Sequence, residues 1–312
     1  MDRPRVSIIT ATFNRSQVLR HTIASVIRQR FGAWELLVVG DACTDDTREV
    51  VASFGDPRIH YHALSENVGE QSGPNNHGVI AARGDLLAFV NHDDLWMPDH
   101  LEVLVSALDE TKADLVFSLM AAIIPGHPPA LSNFTPSGRY EPRTVVPASS
   151  WVFRRSLSER VGPWRSYREC YQAPSQDWLC RAEQAGSDSR LVPALTVVAF
   201  PSGYRHGSYT SNDDTEQVEY LARMTSDPVF RERLLTEMVL GQAAGGPYTL
   251  STTAVRPYLS RAVKNAVSAA LSAAGVPPAS VRLFMTSPRR GHFIETLRRT
   301  RGLPPLSRER TD

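Results

Sequence analysis

The chain is poor in cysteine and has no long apolar run, and each shortage removes a class of protein. Cys43, Cys170 and Cys180 are widely spaced and form no C-x-x-C pair, which argues against a disulfide framework or a structural zinc site. No stretch approaches the ~20 apolar residues of a membrane-spanning helix. The longest, Leu115 to Ile124, has the length of a core strand. After Met1-Asp2-Arg3-Pro4-Arg5 the chain enters a short apolar strand without a signal-peptide core, and a cytoplasmic location is expected. Neither G-x-G-x-x-G nor G-x-x-x-x-G-K-[ST] occurs, so neither a dinucleotide fingerprint nor a P-loop is present to hold phosphate. Hydrophobic residues at 42% and charged residues at 21% are ordinary for a globular enzyme.

What is present begins with Phe89-Val90-Asn91-His92-Asp93-Asp94-Leu95-Trp96-Met97-Pro98, an apolar strand running into two carboxylates and then, by expectation, a helix started by proline. Hard cations such as Mg²⁺ take oxygen ligands and bind through one or two carboxylates plus substrate phosphates, so one Asp pair suffices. The rest of the first 120 residues alternates strand and helix: strands at Val6 to Ala11, Trp34 to Val39, Ile59 to Ala63 and Leu86 to Val90, helices at Ser16 to Arg28, Asp45 to Phe54, Asn75 to Ala82 and Asp99 to Asp109. That alternation predicts a mainly parallel, Rossmann-like α/β sheet covered by helices on both faces, with ligands at the carboxyl ends of the strands. The polar loops Thr12-Phe13-Asn14-Arg15, Gly40 to Asp46 and Asn91 to Asp94 converge on that rim.

These residues resemble family 2 glycosyltransferases of the GT-A fold. The resemblance is carried in order by Val6 to Arg15, Asp41-Ala42-Cys43-Thr44-Asp45-Asp46-Thr47, Asn67-Val68-Gly69, Asn76-His77-Gly78, Ala82-Arg83-Gly84-Asp85 and His92-Asp93-Asp94, and it covers roughly residues 5 to 210. It implies inverting transfer of a sugar from a nucleotide diphosphate sugar (UDP, dTDP or GDP) to a glycan, lipid-linked or small-molecule hydroxyl, with Mn²⁺ or Mg²⁺. By the same resemblance Thr12 and Asp41 contact the nucleoside, with Asn14, Arg15, Asn75, Asn91 and His92 beside it. Asp93 is the principal metal ligand, joined by Asp94 and by His206 of Tyr204-Arg205-His206-Gly207-Ser208-Tyr209. Asn91 replaces the first acid of D-x-D, so metal affinity is lower or Asp94 compensates. Asn75 stands where relatives often carry an arginine, so the phosphate charge falls to Arg83 or Arg205, with a surface ion pair the more ordinary fate of Arg83.

In the second half, Arg154 to Trp164 and then Ser175-Gln176-Asp177-Trp178 resemble the family's approach to its catalytic acid, with Gln176 in place of Glu. Asp177 is then the general base; the alternative is a helix cap. Three regions are expected: a nucleotide-sugar-binding half over 1–120, an acceptor-binding half over 121–215 and a helical C-terminal extension over 216–312. From Arg256 onward eleven Arg or Lys face three acids, so the tail of the extension is basic, about +8 against about −7 for all residues before Arg256. It is read as mediating self-association as a homodimer, or peripheral contact with the inner face of a membrane, and not catalysis; nucleic acid is not an expected partner. Two other readings remain open, a sugar-nucleotide-binding protein that has lost catalysis and a nucleotidylyltransferase.

Overall fold

The β-branched run that opens the chain forms the central strand β1 (Val6–Thr12), and its even and odd residues enter opposite cores. The computed structural model describes residues 3–142, 144–211, 213–244 and 289–306. β2 (Trp34–Gly40) and β3 (Ile59–Ala63) add in parallel on one side of β1, and β4 (Leu86–Phe89) adds in parallel on the other. The sequence thus reverses direction across the sheet between β1 and β4, which opens a crevice at their carboxyl ends.

Beyond β4 the sheet is mixed. β8 (Trp151–Arg154) runs antiparallel to both β4 and β6 (Leu115–Ala122), β9 (Ser189–Ala199) runs parallel to β6, and β7 (Ala130–Ser132) pairs with β6 at its margin. The short strand β5 (Leu95–Trp96) pairs antiparallel with β9, so the segment read as running directly into a helix first makes a strand. The full order is β3-β2-β1-β4-β8-β6-β9-β5. β6 spans the boundary placed at residue 120, and the two halves share one sheet.

Helices α1 (Ser16–Ile27), α2 (Thr47–Ala52) and α4 (His100–Thr111) cover one face, burying Leu19, Ile23, Val51, Leu104 and Leu108 against Ile8, Val38 and Val116. The other face is covered by α3 (Ser72–Ala81), α5 (Arg155–Val161) and α6 (Pro174–Gln184), over an aromatic core. There Trp151 stacks on Trp178 at 5.9 Å and Phe89 on Phe153 at 5.8 Å between ring centroids. Each such pair adds about 0.5–1.5 kcal/mol beyond the burial of its area. A third core joins β5 and β9 to α7 (Thr215–Ser226) and α8 (Phe230–Ala244) through Phe200, Tyr220, Phe230 and Leu234. The last described helix, α9 (His292–Arg301), lies between two left-handed glycines, Gly291 and Gly302. No helix of the described residues is long and apolar enough to cross a membrane. The part of the basic extension from Arg256 to Pro288 lies outside the described residues.

Candidate active site

The rim forms where β1, β2 and β4 end side by side. At the end of β1, Thr12 is buried and its hydroxyl has no hydrogen-bond partner, while its carbonyl accepts from the Asp41 amide at 2.8 Å. Asp41, at the end of β2, is 3% exposed; its Oδ1 accepts from the Val68 amide at 2.7 Å and its Oδ2 from the Gly69 amide at 2.8 Å. Burial pushes this carboxyl above the usual carboxylate range despite those two bonds. Asp41 therefore shapes the Asn67-Val68-Gly69 loop, and the Asn67 side chain returns a bond to the Asp41 carbonyl at 2.8 Å.

Two residues expected to touch the nucleotide are otherwise engaged. Asn14 sits in the left-handed region (φ 47°), where its amide oxygen accepts from the Thr44 amide at 2.8 Å and its nitrogen donates to the Thr44 hydroxyl at 3.1 Å, stapling two rim loops together. Arg15 is buried and donates to the carbonyls of Ser208 and Ser211. Asp45 and Asp46 bond Ser16 and Thr47 at the starts of α1 and α2. Asn75 is buried in α3, which starts at Ser72, three residues before the expected start. It shares a helix face with Gly78, where a Cβ would press into Ile9 of β1.

The three acids or amides after β4 point different ways. Asp94 is 3% exposed and fully engaged, accepting from Ser149 Oγ at 2.5 Å, Asn91 Nδ2 at 2.9 Å and the Phe200 amide at 3.1 Å. Burial, reinforced by Asp93, pushes its carboxyl up to about 7. It ties β4 to the end of β9 and faces away from the rim. Asp93 is half-buried, and its carboxylate has no hydrogen-bond partner among the described residues; only its carbonyl is held, by Gln217 of α7 at 3.3 Å. His92 is 7% exposed and contacts the Tyr209 hydroxyl at 3.2 Å. Burial, against the pull of Asp93, brings its basicity down to about 4, so the ring is neutral at pH 7.

The expected metal shell of Asp93, Asp94 and His206 is not assembled. His206 is exposed, Asp94 is turned inward, and among the described residues no group of three or more His, Cys, Asp or Glu side chains could hold an ion. The donor set fits Mn²⁺ or Mg²⁺ only in open form, with Asp93 as the protein ligand and phosphate oxygens and water completing the shell. Neither expected phosphate cation is free. Arg205 makes a bidentate pair with Glu216 at 2.7 and 2.8 Å and donates to the carbonyls of Ile123 and Pro201. Arg83 pairs with the buried Glu35 at 2.6 Å, at the opposite end of the strands. Burial alone would raise the Glu35 carboxyl, but bonds from Ser7 and Arg83 hold it below the usual range.

Asp177 lies in the first turn of α6, its Oδ2 bonded by Arg181 Nε at 2.9 Å and its Oδ1 3.7 Å from Arg165, beyond hydrogen-bond reach. Oδ1 thus keeps its lone pairs. Asp177 and Glu70 both raise the Cys170 thiol electrostatically, after burial as the main cause, and Asp41 acts on Glu70 in the same way. Gln176 accepts from the Val146 amide at 3.1 Å and donates to the Val146 carbonyl at 2.9 Å, a reciprocal pair that only an amide can make.

Sequence reasoning missed Ser149, Tyr209, Gln217, Arg298 and Arg301. Tyr209 sits inside a motif already singled out, yet a loop without period gives no sign of which side chain turns inward. Arg298 and Arg301, three apart on α9, read in the sequence only as part of a basic tail.

Comparison with known proteins places the rim in a family. Residues 7–160 match Glycosyl transferase family 2. The chain is 35% identical over 124 residues to a putative teichuronic acid biosynthesis glycosyltransferase, TuaG, of Bacillus subtilis, covering 38% of this chain and 49% of that protein. It is likewise 35% identical over 108 residues to the Escherichia coli UDP-Glc:alpha-D-GlcNAc-diphosphoundecaprenol beta-1,3-glucosyltransferase WfgD, covering 35% of this chain and 42% of that one. The matched region thus spans less than half the length of these relatives. Among solved structures, S. aureus TarS 1–349 in complex with UDP-GlcNAc superposes with a TM-score of 0.55 at 17% identity, covering 80% of this chain and 77% of TarS. The mannosyltransferase PcManGT of Pyrobaculum calidifontis, in complex with GDP-Man and Mn²⁺, gives 0.51 at 15% identity, covering 96% and 88%. At that identity the structural likeness establishes the fold, and the sequence match supplies the family of the domain: residues 7–160 are a glycosyl transferase family 2 domain.

Proposed function

We propose that this protein is an inverting glycosyltransferase that moves a sugar from a nucleotide diphosphate sugar to a hydroxyl of a glycan, lipid-linked or small-molecule acceptor. The observation that carries the reading is the unpartnered Asp93 carboxylate at the β1/β4 crevice of a family 2 domain. UDP-GlcNAc bound to TarS and GDP-Man with Mn²⁺ bound to PcManGT support the donor class, and the diphosphoundecaprenol named for WfgD supports a lipid-linked acceptor.

Asp177 Oδ1 accepts the proton of the acceptor hydroxyl, and the freed oxygen attacks the anomeric carbon as the bond to the diphosphate breaks on the opposite face. Arg181 fixes the carboxylate by its other oxygen. A divalent ion, when bound, supplies positive charge to the leaving diphosphate, and Asp93 would hold it. Asn91 and Gln176, the two departures that make a chain without catalysis conceivable, both have structural roles as amides, so neither argues for lost activity.

The test is Asp177→Asn with a panel of UDP, dTDP and GDP sugars. Donor binding should persist while turnover falls by about 10²–10⁴-fold, and proton NMR of the wild-type product should show the anomeric configuration inverted. Near-normal transfer by the variant would refute the assignment.

A further inference from the structure

The rim needs a cation for the donor's diphosphate, and the arginines nearest to it are committed elsewhere. Arg15 is buried and held by two carbonyls through one terminal nitrogen, its Nε having no partner, and Arg205 is paired with Glu216. Arg298, 5% exposed, donates to the carbonyls of Gly69 and Pro304. Arg301 differs. Its Nε donates to Ser202 Oγ at 2.9 Å, its guanidinium carbon lies 5.3 Å from the Tyr209 ring centroid, and its two terminal nitrogens have no hydrogen-bond partner among the described residues.

Its position is fixed by backbone. The Gly207 amide donates to the Thr300 carbonyl at 2.8 Å, the Tyr209 amide donates to the Arg301 carbonyl at 3.0 Å, and the Gly291 amide donates to the Cys170 carbonyl at 2.9 Å. Tyr209, flanked by Arg301 and by Arg15 at 5.4 Å, reaches His92, the residue before Asp93. Arg301 and Asp93 both act electrostatically on His92 and on Tyr209. A planar guanidinium with unpartnered N–H groups, linked through Tyr209 and His92 to the residue before a metal-competent carboxylate, suits a diphosphate, whose oxygens bind both kinds of group.

We propose that Arg301 is a donor-diphosphate ligand, so that α9 completes the donor site. The inference rests on the nucleotide-sugar reading above. The full chain with Mn²⁺ is titrated calorimetrically with UDP, dTDP and GDP and with the matching nucleosides. Arg301→Gln should weaken the diphosphate that the wild type prefers by about ten- to a hundredfold, as for loss of a charge-assisted bond, and leave its nucleoside within twofold. Arg301→Lys should recover part of the loss, and Arg299→Gln, on the exposed face of the same helix, should change neither. Unchanged diphosphate affinity in Arg301→Gln overturns the proposal, as does a parallel fall in nucleoside affinity, which would make Arg301 only a helix anchor. A wild-type chain that binds none of the three diphosphates overturns the donor reading itself and this inference with it.

Discussion

Asn91 shows how one atom changes the meaning of a motif. Read alone, an amide in the first position of D-x-D is a missing metal ligand. In the fold its Nδ2 is the donor that Asp94 Oδ2 needs at 2.9 Å. Asn91→Asp would set two acids against each other in a buried site where burial has already pushed the Asp94 carboxyl up to about 7. The variant should lose roughly 1–3 kcal/mol of stability, more at pH 8 than at pH 6, because protonated Asp94 can donate to the new carboxylate. Urea unfolding at the two pH values measures it, and an equal or smaller loss at pH 8 would contradict this account. Asp93 was legible as an acid at a strand end. That Asp94 faces inward was not, because adjacent residues of extended chain point to opposite sides and only the partners Ser149 and Phe200 decide which side is the rim.

At the scale of elements, α9 is docked by close backbone approach as well as by arginine. Gly302 has φ 80°, and a Cβ there would lie 2.9 Å from Thr210 Cγ2 and 3.4 Å from Gly207 Cα. Gly302→Ala should therefore cost about 1–3 kcal/mol of local stability from the left-handed backbone and the clash. Hydrogen exchange of the Gly207 and Tyr209 amides should accelerate about tenfold or more while β1 and β4 keep their protection; unchanged exchange at both amides would show the helix held by other contacts. The sequence marks this segment only by its clustered arginines, Arg289, Arg290, Arg298, Arg299 and Arg301. It could not tell that Arg298 is buried, because the carbonyls that satisfy it belong to Gly69 and Pro304. A related limit hid β5: Pro98 reads as a helix start, but the Met97 amide bonds the Thr196 carbonyl at 2.9 Å, and α4 begins only at His100.

Across the whole molecule, the parallel strands and their helices were readable because each repeats a local period. The antiparallel insertion of β8 between β4 and β6 was not, since nothing in Trp151–Arg154 names its neighbours. His100 is one of the buried groups that give global stability a pH dependence. His100 is fully buried, stacked 4.1 Å from Trp96, and burial lowers its basicity to about 3. Between the ordinary value near 6.5 and that value the unfolded chain binds the proton and the folded chain does not, so stability falls as pH falls through this window, by up to ~1.4 kcal/mol per pH unit. His100→Phe keeps the stack and should make the decline between pH 6.5 and pH 4.5 shallower, leaving the part that the buried His92 contributes. Unfolding midpoints that fall as steeply as in the wild type would place the acid sensitivity elsewhere.

The contact between Arg298 and Gly69 spans 229 residues, and Leu306 packs on the same glycine. A ribosome adds ~5–20 residues per second. The loop that clamps Asp41 therefore leaves it on the order of ten to fifty seconds before the helix that covers that loop. During synthesis the strands of the donor half can pair while their rim stays uncovered, and a message cut short ahead of residue 289 would yield a chain that holds its sheet without α9.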